Sequence, residues 1–187
     1  MPIYDDKLIG KLLAWVGDHS VYEYGNDRVI KFSKFDYFIG VQEARRKYVS
    51  DYEICRKHFG DYILETDVMA SADGSRVAKI QPKISGRFLT KRSLTSEGVK
   101  TQLRQFLARY DEFAGPAFFD LVGHQGIVRP CLSNIYITPG GVLKVFDATL
   151  FDIRELPVLL RLVFYPLLPV ARLLQHVRLS GLKKSLT

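Results

Sequence analysis

The sequence predicts an α+β fold, and three observations carry that prediction. Runs rich in β-branched and aromatic residues come in pairs joined by short turns bearing Gly or Asn, the pattern of antiparallel hairpins. Two longer stretches instead step their apolar residues by three and four, the spacing of helices that bury one face. A chain of 187 residues, 47% hydrophobic and 12% aromatic, is also long and apolar enough to close a core around both kinds of element.

Residues 1–16 are predicted as an amphipathic N-terminal helix. Leu8, Ile9, Leu12, Leu13, Trp15 and Val16 recur at helical spacing, and Asp5 and Asp6 supply first-turn acids. Gly17 to Ser20 break the pattern. Residues 21–24, the turn Gly25-Asn26-Asp27 and residues 28–32 then read as a strand, a tight turn and a strand. Residues 41–59 give the clearest helix, with Val41, Ala44, Tyr48, Tyr52, Cys55 and Phe59 on one face and Gly60 as its stop. A second hairpin is predicted over residues 62–69 and 76–84, with Pro82 at an edge or at the strand's end. Thr95 or Ser96 caps another helix, which carries Val99, Leu103, Phe106, Leu107, Tyr110 and Phe113 and ends near Gly115-Pro116.

Charge and cysteine usage narrow the function classes. Cys55 and Cys131 lie far apart, without C-x-x-C or Cys/His spacing, which argues for a reducing, cytoplasmic setting and against a structural zinc site. The N-terminus has acids where a secretory signal has basic residues and an apolar run. Of the net charge of +7, five charges (Arg161, Arg172, Arg178, Lys183 and Lys184) follow Glu155, after which there is no acid. The rest of the chain is nearly balanced, so no basic face for nucleic acid is expected there.

The stretch richest in chemistry is the hairpin predicted over residues 134–138 and 142–146, turned by Pro139-Gly140-Gly141. Closing it brings Asn134 and Asp147 together, an amide oxygen and a carboxylate suited to a hard cation such as Mg²⁺. On these residues alone, a plain surface hairpin with a polar residue at each end fits as well.

The hairpin resembles the catalytic-loop and metal-binding segment of the protein-kinase-like fold, in which a catalytic-loop Asn and the Asp of D-F-G hold magnesium. The resemblance implies that Asn134 and Asp147 are metal ligands for ATP and Mg²⁺, and that Lys31 of Val29-Ile30-Lys31 is the phosphate-binding Lys. It implies a carboxylate on the helix at 41–59 to pair with Lys31. Glu43 and Glu53 are the candidates, and Glu43 is preferred for its place near the helix start. Ile84 to Leu89 resembles the hinge that meets the adenine.

The departures are in the catalytic loop. Counting back from Asn134 puts the motif's His on Ile127 and its Asp on Arg129, Ala148-Thr149 replaces Phe-Gly, and no A-P-E element follows. Asp120 is then the candidate catalytic carboxylate, provided the loop from Gly123 to Ser133 folds back, with His124 as a second substitute.

The implied architecture is α+β and protein-kinase-like: an antiparallel small-lobe sheet with one packed helix over 17–88, a reduced helical large lobe over 89–155, and an apolar, basic tail over 156–187. The implied function is binding of ATP and Mg²⁺, with phosphoryl transfer to a small-molecule or lipid-linked hydroxyl. A catalytically inactive pseudokinase or scaffold is one alternative, and a peripheral membrane protein with only architectural resemblance is the other. In the tail, Pro157, Pro166 and Pro169 are expected to break a helix, and Arg161 and Arg172 argue against a membrane span. Two roles stay open for it: a surface lying on anionic lipid, or a cover for the base of the shortened lobe.

Overall fold

A computed structural model of the chain describes residues 2–16, 19–34, 36–113, 117–155 and 158–186. Two compact units emerge, Met1–Ile54 with Leu64–Ile84, and Cys55–Ile63 with Ser85–Thr187.

The first unit is built on a five-stranded antiparallel sheet of β1 (Ile9–Val16), β2 (His19–Tyr24), β3 (Arg28–Ser33), β4 (Asp67–Ala70) and β5 (Val77–Pro82), in the order β1-β2-β3-β5-β4. After β3 come a short helix α1 (Asp36–Ile39) and the long α2 (Val41–Phe59). One sheet face closes over Tyr4, Tyr24, Ile30, Ala78 and Ile80. On the other, Val68 and Val77 pack with Ala44 and Tyr48 of α2. Strand alternation explains the split, because neighbours on β5 point to opposite faces and both faces are covered. Both predicted hairpins and the helix over residues 41–59 are present, and Pro82 ends β5, where its missing N–H costs no ladder bond.

The predicted N-terminal helix is not formed. Asp6–Leu8 make one 3-10 turn, with Asp5 accepting from the Lys7 amide at 2.9 Å, and Ile9–Val16 form the edge strand β1. The reason lies in the register with β2, which shifts between Ile9 and Leu12 and again between Leu12 and Ala14. Each irregularity breaks the period of two, so apolar residues of a doubly bulged strand imitate helical spacing. Gly10 lies close against β2, where a Cβ would come 3.1 Å from Glu23 Cβ, and Leu12, Leu13 and Trp15 are exposed as on an edge. The turn at Gly17 lies outside the described residues.

The second unit holds a three-stranded sheet, β6 (Arg87–Leu89), β8 (Leu132–Ile137) and β9 (Leu143–Val145) in the order β6-β8-β9, and a pair of β7 (Phe118–Phe119) with β10 (Leu150–Phe151). The predicted hairpin is β8–β9, with Ile135 opposite Val145 and Ile137 opposite Leu143. Helix α3 (Glu97–Glu112) has Ser96 as its N-cap and buries Val99, Leu103, Phe106 and Leu107, as its spacing requires. Its predicted stop at Gly115-Pro116 is outside the described residues. Phe59 is fully buried, with its ring centroid 5.3 Å from that of Phe106 and 5.0 Å from that of Phe119. A short helix α4 (Gly123–Val128) interrupts the segment read as loop, and α5 (Val158–Lys183) ends the chain.

Helix α5 continues through Pro166 and Pro169, against expectation. Both prolines are exposed, so the carbonyls they leave without an amide partner are free to meet water. Leu156 and Pro157 lie outside the described residues. The C-terminal part of the helix is core: Gln175, Leu179 and Leu182 are buried. The N-terminal part turns Val158, Leu162, Tyr165, Val170 and Leu173 outward. Among the described residues no helix is long and apolar enough to cross a membrane.

Gln175 locks the helix by accepting from the Leu121 amide at 2.7 Å and donating to the Phe119 carbonyl at 2.8 Å and the Tyr110 hydroxyl at 2.5 Å. Gln175→Leu strands a buried N–H and a buried C=O at once. Urea unfolding is expected to show a loss of about 2–3 kcal/mol, whereas a Gln175 that merely fills space predicts no loss.

Candidate functional site

Asp120 is the first residue after β7, and the β7–β10 pairing of Phe119 with Leu150 sets it close to the segment that begins at Asp147. Its Oδ1 accepts from the backbone amides of Val122, at 2.9 Å, and Gly123, at 3.0 Å, which fixes the carboxylate in a tight turn. The chain then folds back onto β8. Ser133 N donates to the Val122 carbonyl at 2.9 Å, Ser133 Oγ to the same carbonyl at 2.7 Å, and Gly126 N to Ser133 Oγ at 3.3 Å. Asn134 Nδ2 completes the fold-back by donating to the Asp120 carbonyl at 2.8 Å.

Gly123 makes this approach feasible. It has φ +61°, and a Cβ at that point would overlap both Asn134 Oδ1 and Ser133 Oγ, so a side chain there fails on backbone conformation and on space together. Across the hairpin, the Phe146 amide donates to the Asn134 carbonyl at 3.2 Å, which puts Asp147 one residue beyond a closed ladder bond. Thr149 Oγ1 donates to Asp147 Oδ1 at 2.7 Å.

The electrostatics agree with the crowding. Burial raises the Asp120 pKa above the usual carboxylate range and the charge of Asp147 adds to the rise, while the amides of Gly123 and Val122 oppose it. Two carboxylates and an amide oxygen form an all-oxygen donor set, which a hard divalent cation favours and whose mutual repulsion it would offset. Among the described residues no three His, Cys, Asp or Glu side chains converge.

The structure thus brings together Asp120, Asn134 and Asp147. Ile127 and Arg129, where counting back from Asn134 lands, are exposed at the end of α4, whereas the carboxylate beside Asn134 is Asp120, which precedes that helix in the chain. His124 belongs to α4, and its side chain lies outside the described ones. Tyr136 on β8 was not singled out by sequence. Its ring lies 4.9 Å from that of Phe88 and 5.1 Å from that of Phe146, an aromatic platform beside the hinge segment. Gly86 is packed so tightly there that a Cβ would come 2.5 Å from the Ile137 carbonyl oxygen.

In the first unit, Lys31 on β3 is directly opposite Lys79 on β5. Residues opposite each other share a sheet face, and here it is the face covered by α2, since Lys79 Nζ sits 4.8 Å from the centroid of the Tyr48 ring. Two lysines side by side call for acids, and two are buried nearby in sequence and fold. Asp51 pairs with Lys47 at 3.2 Å, and Asp36 accepts from the Tyr48 hydroxyl.

Glu43, the preferred partner for Lys31, is on the other side of the helix, exposed and paired with Arg46 at 2.7 Å. Glu53 is exposed as well. The buried acid of α2 is Asp51, three residues after Tyr48 and four before Cys55. Its signal was in the sequence, as an acid in phase with the apolar stripe.

No family model matches the sequence, and no curated protein matches it. Among solved structures, the Legionella pneumophila Lpg2603 kinase bound to IP6 is 18% identical with a TM-score of 0.49; the match covers 80% of this chain and 52% of that one. The GDP complex of wild-type aminoglycoside 2'-phosphotransferase-IIIa is 16% identical with a TM-score of 0.36, covering 57% of this chain and 36% of that one. This chain therefore spans about half the length of the first structure and about a third of the second. The order of elements, a five-stranded antiparallel sheet with one long helix, then helix, hairpin and strand pair, makes the chain an α+β protein and is the order that the resemblance to the protein-kinase-like fold implies.

Asp120 gives the site a pH signature. With its folded pKa raised, the contribution to stability is full below the unfolded value of about 3.9 and is lost as pH rises through the folded value. Asp120→Asn keeps the Oδ1 acceptor and removes the charge. Thermal unfolding from pH 4 to pH 7 is expected to show the variant gaining on the wild type as pH rises; a constant difference would contradict the raised pKa.

Proposed function

We propose that the chain is a small kinase-like phosphotransferase that binds a magnesium nucleotide and passes a phosphoryl group to a hydroxyl on a small or lipid-linked acceptor. The observation that carries this reading is the 2.8 Å bond from Asn134 to the Asp120 backbone, which sets a carboxylate of raised pKa beside an amide and a second carboxylate. In it Asn134 and Asp147 are the metal ligands, Asp120 takes the proton of the acceptor hydroxyl, and Lys31 donates to phosphate oxygens. Magnesium, when bound, supplies charge neutralisation at the phosphates. Asp51 replaces Glu43 as the acid that offsets the lysines of the first unit, and Tyr136 offers an apolar face to a base.

The exposed part of α5 supports a second role. From Val158 to Val177 its outward residues recur at helical spacing, while Arg161 and Arg172 are exposed on the same helix and no acid follows Glu155. Apolar burial and attraction to anionic lipid then act together, placing the chain at a membrane surface where a lipid-linked acceptor would be found.

Titration calorimetry with ATP and ADP tests the first reading. Binding is expected to depend on Mg²⁺ or Mn²⁺; Asp147→Asn should abolish that dependence, and Lys31→Met should weaken binding by about 1–3 kcal/mol. Asp120→Asn should bind nucleotide normally but lose transfer. Absence of nucleotide binding at millimolar concentration with metal present refutes the reading, and binding without turnover by the wild type leaves an inactive, scaffold-type pseudokinase.

Co-sedimentation tests the second reading. Vesicles rich in anionic lipid are expected to bring the protein down while neutral vesicles do not, and replacing Leu162, Tyr165 and Leu173 with Gln should abolish the difference. Equal recovery with both vesicle types removes the membrane role.

A further inference from the structure

A cavity of about 390 Å³ in the second unit is lined by residues from two separate stretches, 87–93 and 129–131, and none of them is Asp120, Asn134 or Asp147. Three of the lining side chains are arginines, Arg87, Arg92 and Arg129, and no carboxylate is among them. Arg87 Nη2 donates to the Ser93 carbonyl at 3.4 Å and to Thr95 Oγ1 at 3.2 Å, contacts with neutral groups that leave its charge uncompensated. Among the described residues, neither Arg92 nor Arg129 forms an ion pair with a carboxylate.

The walls are stiff. The turn that carries Arg92 is closed by a reciprocal capping box, with Thr90 N donating to Ser93 Oγ at 2.8 Å and Ser93 N to Thr90 Oγ1 at 3.2 Å. The turn that carries Arg129 is closed by the Cys131 amide on the Arg129 carbonyl at 2.8 Å, and Arg178 Nη2 braces α4 through the Gly126 carbonyl at 3.1 Å. Three arginines lining one space repel one another, and their planar forks match the oxygens of phosphate. The volume lies within the range of small-molecule sites, and Phe88 adds an apolar wall.

We infer that this cavity is a binding site for a small phosphorylated molecule, with its phosphate groups on Arg87, Arg92 and Arg129 and its organic part against Phe88. It needs no divalent cation, because the protein itself supplies the positive charge. The inference stands apart from the proposed metal and phosphate residues, since Lys31, Asp120, Asn134 and Asp147 do not line the cavity, while Arg87 and Phe88 also belong to the segment that resembles the hinge.

Titration calorimetry of the full chain with inorganic tripolyphosphate, in buffer containing a chelator, provides the test. Saturable binding is expected that weakens with added salt, persists in Asp147→Asn, and falls at least tenfold in the double variant Arg92→Ala, Arg129→Ala. These exposed side chains hold no described carboxylate, so thermal unfolding of the double variant without ligand should match the wild type. Cys131, which lines the cavity and is buried as Cys55 is, provides a readout on the unmutated chain: tripolyphosphate should slow its alkylation, mapped by peptide mass, more than that of Cys55. Absence of saturable binding, equal affinity in the double variant, loss of binding in Asp147→Asn, or unchanged alkylation of Cys131 would each overturn the assignment.

Discussion

Asn134 uses its amide in two directions, and the second unit depends on both. Nδ2 donates to the Asp120 backbone while Oδ1 faces Gly123, where only a glycine leaves room. The same turn presents its own amides to the Asp120 carboxylate, so backbone and side chain hold each other in place. Ser133 strengthens the closure from the adjacent strand position by accepting from Gly126 and donating to Val122. A carboxylate fixed this way loses little entropy when it meets a ligand, which is the physical content of a preorganised site. The cost appears in the raised pKa of Asp120, which burial produces first and the nearby charge of Asp147 increases.

The first unit solves a different electrostatic problem with the same economy of residues. Lys31 and Lys79 face each other across β3 and β5, a destabilising pair unless acids balance it. The sheet face that holds them is covered by α2, and on it Tyr48 serves twice, with its hydroxyl on Asp36 and its ring under the Lys79 ammonium. Asp51 lies on the same face of the helix, beside Lys47. Charged groups inside a small domain persist only when each has a partner, and Tyr48 and Asp51 put such partners on the covered face of the sheet.

How much of this was legible follows from the length scale of each signal. The β8–β9 hairpin and helices α2 and α3 declare themselves within a window of some twenty residues, through turn chemistry and apolar spacing, and all three stand where the sequence puts them. Asp120 was a candidate only if the loop from Gly123 to Ser133 folds back, and that fold-back depends on α4 and on the Ser133 and Asn134 hydrogen bonds, which no fixed spacing shows. The strand β1 was misread as a helix because two bulges shift its alternation. Asp51 was passed over in a search for Glu, although an acid within an apolar stripe is the more telling observation. The arginines of the cavity are spread from position 87 to position 129, and only the fold brings them to one wall.

Helix α5 marks the limit of composition as a guide. Apolar residues surround much of its circumference, so their number alone does not say which face the body covers. The choice is made by one polar side chain. Gln175 fits the helix to the β7 end only when it points inward, where it meets the Phe119 carbonyl, the Leu121 amide and the Tyr110 hydroxyl at once. A rotation by one residue, about 100°, would exchange those bonds for a buried leucine and leave two backbone groups unsatisfied. With Gln175 fixed, Leu179 and Leu182 fall inward at the next turns, while Leu173 and Val177 fall outward with Val170 and Leu162. The outward apolar stripe is therefore a consequence of where a glutamine is anchored, and the surface the chain offers to its surroundings is set by a hydrogen-bonding decision in its core.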